Sequence, residues 1–351
     1  MLEITRTSLI KVKSSSRYRN SLSLVHLAVM LPLRGNKKIV AANNTTSFSN
    51  VKHCQMGKIK EFFHNWIYAH VTVPIRYYRF SKLYHIMNNK ETVNYIIRNR
   101  CSVARFGDYE YMSLNEESNN FNEANRNLAQ RLKDVLKNKD SRLLVCIPKG
   151  FSTLRGLRKN AAIFWRYYVA EKADVISKAT PKDTIYGDAS FTRFYMDAKK
   201  KDSQKMSIYI DNLRRIWQDR DVYIVEGEGS RFGVADDFLD NCRIVKRILC
   251  PSTDAFKVYD KILYTVKENV PKEALILSAL GATATVLAFD LSRLGFQCID
   301  IGHADIEYSW FKMGATHKVP VKGKNVNEVG VNHVEDSTDS KYLSEIIARA
   351  E

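Results

Sequence analysis

The chain has 351 residues, 45% of them hydrophobic and 11% aromatic, enough to bury one large or two modest domains and too apolar for a disordered tail. Its formal net charge of +17 is unevenly spread: residues 1–100 carry 17 Lys and Arg against three acids, and the remaining 251 carry 38 against 35. A nearly neutral body behind a basic N-terminal arm argues against a basic nucleic-acid groove, and no nucleic-acid partner is expected.

In chain order, residues 1–55 lack sustained periodicity, are rich in Ser, Asn, Thr and basic residues, and read as a mobile arm. Their longest apolar run, "SLSLVHLAVMLPL", is too short to span a bilayer and carries His26. No small-residue cleavage site follows it, which argues against a signal peptide. Six cysteines, at 54, 101, 146, 242, 250 and 298, form no C-x-x-C pair and mostly sit in apolar runs, as free thiols in a cytoplasmic protein do. Residues 56–94 form a basic, aromatic helical segment. Within it, residues 56–85 mix Lys and Arg with Phe, Trp and Tyr. That composition suits peripheral contact with the inner face of an anionic membrane, or a helix pair packed on the body.

From residue 95 to about 335 the pattern is regular. Short β-rich runs at 102–106, 142–148, 222–226, 244–250, 274–280 and 296–301 alternate with helical stretches, one of which carries Leu128, Leu132, Val135 and Leu136 on a single face. An α/β fold with a mostly parallel sheet follows. Residues 336–351 read as a C-terminal tail or helix.

In such a sheet ligands bind beyond the carboxyl ends of the strands, and four strand ends carry polar clusters. "RFGDYE" leaves a strand with Asp108 and Glu110 two positions apart. On an extended backbone both carboxylates face one way and can share Mg²⁺ or Mn²⁺. "VEGEGSRFG" runs from Glu226 through two glycines to Ser230 and Arg231, a turn that lets backbone approach a phosphate and an Arg grip it. In "ALILSALGATATVLAFDLSRLGFQCIDIGH", Gly281 begins a turn, Thr283 and Thr285 are candidate helix caps beside a nucleotide, Leu287, Leu291 and Leu294 form a buried stripe, and Gly295 suits the helix end. It lacks G-x-G-x-x-G, which disfavours a dinucleotide. Finally "IGHADIEY" sets His303, Asp305 and Glu307 at alternate positions, as candidates for a general base, a metal ligand or a sugar-hydroxyl acceptor.

Taken together, "SVARFGDYEYMSL", "EGEGSRFGVADDFLD", "IVKRILCPSTDAF", "GATATVLAFDLSRLGFQCIDIGHADIEY" and "GKNVNEV" resemble, in that order, the bacterial GT-D-type glycosyltransferases, over about residues 95–330. The resemblance implies a Rossmann-like GT-D fold, here with a basic N-terminal extension. It also implies a UDP-linked hexose donor and a D-x-E motif, Asp108 and Glu110, that binds the divalent cation. The family pattern places glycine where this chain has Tyr109, a larger side chain that could narrow the site. On this reading Arg231 and Arg105 add positive charge beside the diphosphate, and Asp305 or Glu307, or else His303, takes the proton from the acceptor hydroxyl. The acceptor would be a protein- or lipid-linked glycan, as in capsule or exopolysaccharide assembly. The competing expectation is a non-catalytic nucleotide-sugar or glycan-binding subunit that supports a partner transferase.

Overall fold

The computed structural model describes residues 61–119, 122–331 and 333–351, so the expected basic arm of residues 1–55 lies outside the described residues. Residues 62–351 form one compact unit. Residues 61–67 are helical and continue through a π-helical turn, Tyr68–Thr72, into α1 (Val73–Phe80). Strand β1 (His85–Ile86) and α2 (Asn89–Asn99) follow. Asn88 and Glu91 close a capping box at the start of α2, each side chain accepting the other's backbone N–H.

The core is a nine-stranded sheet, and every strand pairing in it is parallel. Beyond β1 its strands are β2 (Ser102–Arg105), β3 (Leu143–Ile147), β4 (Ile185–Asp188), β5 (Asp221–Gly227), β6 (Ile244–Cys250), β7 (Leu275–Ala279), β8 (Gln297–Asp300) and β9 (Ile346–Arg349). They lie in the order β1-β4-β3-β2-β8-β7-β5-β6-β9. Alternate side chains feed two apolar layers: Val103, Leu144, Cys146, Leu275 and Leu277 face one, Ala104, Val145, Ile147 and Ile276 the other. Because helices cover both faces, the central strands are continuous apolar runs.

After β2 the chain winds outward through β3 and β4; after crossing the sheet it winds back through β7 to β8. At the β2–β8 junction the following helices leave on opposite faces. Helix α3 (Asp108–Leu114) buries Tyr111 and Leu114 in one layer, and α9 (Ala304–Lys312) buries Ile306, Tyr308 and Trp310 in the other. That divergence opens a crevice at the carboxyl ends of the strands. The remaining α-helices among the described residues are α4 (Arg126–Leu136), α5 (Lys159–Ala179), α6 (Ser203–Arg214), α7 (Tyr259–Asn269), α8 (Ala282–Arg293) and α10 (Ser340–Glu345).

All six expected strands are present, and the Leu128, Leu132, Val135 and Leu136 face of α4 is buried as its spacing requires. The β7-α8-β8 unit forms with Gly295 in the left-handed region, φ +84°. Leu294 departs from expectation. It ends α8 and is 42% exposed, because the buried stripe stops at Leu291. The closing residues are more than a tail, since β9 pairs with β6 inside the sheet.

A buried ion pair fastens that edge. Arg247 on β6 donates to Glu226 Oε1 on β5 and to Glu345 Oε2 at the end of α10, both at 2.6 Å, with Arg247 and Glu226 almost fully buried. Removing one partner leaves an uncompensated charge, so Arg247→Ala should cost about 3–5 kcal/mol in urea unfolding. A loss under ~1 kcal/mol would show that the pair does not carry this edge.

Candidate active site

A cleft of about 560 Å³ lies over the β2–β8 junction. Its lining comes from segments far apart in sequence: Arg105 to Glu110, Gly227, Glu228 and Ser230, Pro251 to Ala255, Leu280 and Gly281, Asp300, Gly302 and His303, and Asn325, Asn327 and Glu328. The motifs noted in the sequence thus converge on one place. The size suits a ligand larger than a single sugar.

Its floor is held by Arg105 at the end of β2. The guanidinium donates to Asp300 Oδ1 at 2.7 Å from Nη2, to the Asp300 carbonyl at 2.8 Å from Nε, and to Thr192 Oγ1 at 2.8 Å from Nη1. Burial pushes the Asp300 carboxyl up, and the Arg105 charge pulls it back. Thr285 Oγ1 lies 2.8 Å from the Arg105 carbonyl and 3.2 Å from Asp300 Oδ2, tying the first turn of α8 to the same pair. Gly302 has φ +51°, and a Cβ there would come within 2.1 Å of Arg105 Nη2. A side chain at this position would displace the guanidinium.

Asp108 and Glu110 both line the cleft, but not on an extended strand. Helix α3 begins at Asp108, so the two side chains diverge. Glu110 folds back, and its Oε2 accepts the Gly107 N–H at 2.7 Å, using one of the two carboxylate oxygens. A Cβ on Gly107 would sit 3.1 Å from that oxygen, so glycine keeps the fold-back open. Burial, and next the charge of Asp300, push the Glu110 carboxyl up to about 7. Burial also raises Asp108, while Arg193 and Lys318 lower it. Tyr109 lines the cleft between them.

These donors fit a hard divalent cation in part. Two carboxylates and a polar cavity are the oxygen environment such a cation takes, and a cation would relieve the repulsion that raises Glu110. Among the described residues no three His, Cys, Asp or Glu side chains converge as a metal cluster. A bound ion would therefore draw its remaining ligands from phosphate oxygens and water.

Of the other expected residues, Arg105, Ser230 and His303 line the cleft and six do not. Glu226 is buried with Arg247, its Oε2 accepting the Phe232 N–H at 2.7 Å. Arg231 reaches away to the carbonyls of Gly323, at 2.9 Å, and Glu335. Thr283 and Thr285 are buried inside α8, whose start has no side-chain cap. Asp305 is buried against Lys324 at 2.8 Å. Glu307 is buried too, its Oε2 accepting the N–H groups of Tyr195 and Met196 at 2.8 and 2.7 Å. The expectation that His303, Asp305 and Glu307 share a face rested on an extended chain. Helix α9 starts at Ala304 and turns both acids into the protein, leaving His303 at the cleft with Nδ1 3.4 Å from Glu328 Oε2.

Sequence reasoning missed Arg193, Arg158, Lys318, Asp300 and Glu328, all in the lining. Arg193 donates to Glu328 Oε1 at 3.1 Å. Burial works against its charge, but the carboxylates of Glu307, Glu328 and Asp197 outweigh it. Burial also opposes ionisation of Glu328, yet His303 and Arg193 hold its carboxyl well below the usual range. The strand leading to Arg193, β4, is four residues with an internal glycine and gave no periodic signal.

A family model described as glycosyltransferase GT-D fold matches residues 103–329. The chain belongs to this family. It is 34% identical over 266 residues to a "Probable glycosyl transferase Gly" of Streptococcus gordonii and 35% identical over 265 residues to "Glycosyltransferase GlyD" of Streptococcus pneumoniae serotype 4. These alignments cover 75% and 74% of the chain but 38% and 32% of the relatives, so it spans about a third of their length. Among solved structures, the one titled "The highly conserved domain of unknown function 1792 has a distinct glycosyltransferase fold" superposes with a TM-score of 0.75 at 35% identity, over 79% of this chain and 99% of that one. "A New Glycosyltransferase (DUF1792) from Streptococcus sanguinis" gives 0.72 at 33% identity, over 76% and 100%.

Because the folded Glu110 value lies above the ordinary 4.5, its protonation favours the folded state. That contribution is complete below about pH 4.5 and lost as pH rises through about 7. Glu110→Gln should therefore stabilise the metal-free protein by ~3 kcal/mol above pH 7, with the gain vanishing toward pH 4, in paired urea titrations. Equal stability of the two proteins at every pH would contradict the strained-carboxylate reading.

Proposed function

We propose that the chain is a metal-dependent glycosyltransferase that moves a hexose from a UDP-linked donor to a protein- or lipid-linked glycan acceptor. The observation that carries this reading is the cleft itself. Asp108 and Glu110 line it together with the cations Arg193 and Lys318, whose charges both act on Asp108, in a chain belonging to the GT-D family. Carboxylates and cations lining one cleft suit a nucleoside diphosphate, whose oxygens need cations and whose cation needs carboxylates.

Asp108 and Glu110 would hold the Mn²⁺ or Mg²⁺, which supplies charge neutralisation at the leaving diphosphate. Arg193 is held by Glu328 at 3.1 Å and lies near Asp197, with Nε 3.9 Å from its Oδ2; it presents a pre-oriented guanidinium whose charge is already compensated. Arg105 stays locked to Asp300 and shapes the floor. His303 takes the role of general base, since Asp305 and Glu307 are engaged elsewhere. The Glu328 carboxylate beside Nδ1 orients the ring for that role. Tyr109 lines the same cleft and takes up space there that a glycine would leave open.

The test is release of UDP from UDP-glucose and related UDP-hexoses. Release should require Mn²⁺ or Mg²⁺, stop in chelator, and fall by ~10²-fold or more in Asp108→Ala. His303→Ala should slow it ~10²–10⁴-fold while leaving UDP affinity unchanged. Release that persists undiminished in chelator and in Asp108→Ala would contradict the metal assignment, and binding without release from any donor would favour a non-catalytic subunit.

A further inference from the structure

The helical segment before the sheet has two faces. Val73 and Phe80 are buried against the body, Tyr77 donates to the Gly150 carbonyl at 3.0 Å, and α1 packs along α5. On the other side Phe62, Phe63, Trp66, Ile67, Val71, Ile75 and Tyr78 are all exposed. In an unbroken α-helix, at ~100° per residue, Ile75 and Tyr78 would be rotated away from Phe62, Phe63 and Trp66. The π-helical turn at Tyr68–Thr72 takes in roughly one extra residue and rotates the later positions back by about one residue's step. The turn thereby gathers the exposed apolar side chains of both halves into one stripe. A stripe of this extent marks an interaction surface.

Its charge identifies the partner. Residues 62–85 contain Arg76, Arg79 and Lys82 and neither Asp nor Glu. Arg79 and Lys82 are exposed beside the aromatics, with Lys82 Nζ 5.2 Å from the Tyr78 ring centre, while Arg76 pairs with Asp174 of α5. Trp, Tyr and Phe flanked by Arg79 and Lys82, with Glu61 at the head of the helix and Asp174 on the α5 side as the nearby acids, match the boundary between headgroups and acyl chains of an anionic bilayer. We propose that the exposed face of residues 62–82 docks on an anionic lipid bilayer. The N-terminal part of α5, Asn160, Ala161, Phe164 and Trp165, lines the cleft, so docking would bring the cleft wall close to the lipid surface. Should the transferase reading hold, that placement favours a lipid-linked acceptor.

Sedimentation of the full chain with vesicles tests the docking without reference to nucleotide, so its outcome is separable from that of the transferase reading. The protein should sediment with vesicles of phosphatidylcholine and phosphatidylglycerol and not with phosphatidylcholine alone. Affinity should fall by on the order of tenfold or more both in Phe63→Ser with Trp66→Ser and in Arg79→Glu with Lys82→Glu. All four residues are exposed, and urea unfolding would confirm that the variants fold. Brominated acyl chains should quench fluorescence in the wild type and not in Trp66→Phe. Three results would each overturn the proposal: no sedimentation with anionic vesicles, sedimentation that survives the Phe63 and Trp66 substitutions, or a solution dimer that those substitutions dissolve.

Discussion

The ion pair between Arg105 and Asp300 sits where the chain reverses its winding, and the cleft depends on it. Strands β2 and β8 are neighbours whose helices leave on opposite faces, which leaves their carboxyl ends without a covering layer. Arg105 closes the floor of that gap by bonding to Asp300 on one side and to Thr192, after β4, on the other. Thr285 adds the start of α8. Four separate segments are thus tied through Arg105 and Asp300, and Gly302 leaves the guanidinium the room it needs.

Around this floor the site stores electrostatic tension. Glu110 is buried near Asp300 and Asp108, and its carboxyl rises to about 7 while its backbone bond to Gly107 keeps it in place. Arg193 is compensated by Glu307, Glu328 and Asp197, whereas Lys318 is lowered first by burial and then by the Arg193 charge. Glu110 and Lys318 therefore both keep a cost of burial. A ligand that brings a divalent cation for the carboxylates and a diphosphate for the cations would relieve both. Such stored cost is common where a protein binds something charged.

Much of the fold was legible in the sequence, for a physical reason. Strands covered on both faces must be mostly apolar, so 142–148 and 274–280 stand out as runs. Strand β4 was not visible because it is short and carries Gly187, whose added Cβ would meet Cys146 Sγ at 2.4 Å. Strand β9 follows a helical turn directly, and "IIARA" carries no strand period. At the site, positions were legible and conformations were not. Asp108 and His303 were found because they end strands. The spacing of two was then read as extended chain, whereas α3 and α9 start within a residue of each and send Glu110, Asp305 and Glu307 in other directions. Arg193 and Glu328 come from loops whose place over the cleft is set by tertiary packing, which a local pattern does not encode.

The central claim is that Asp108 serves a cation that in turn holds a nucleoside diphosphate. Calorimetric titration of UDP into the full chain, with and without Mn²⁺, beside Asp108→Ala, addresses it most directly. The account predicts heat of binding for the wild type with Mn²⁺, little without it, and little for the variant in either condition. Binding that is the same with and without metal, or the same in Asp108→Ala, would contradict it.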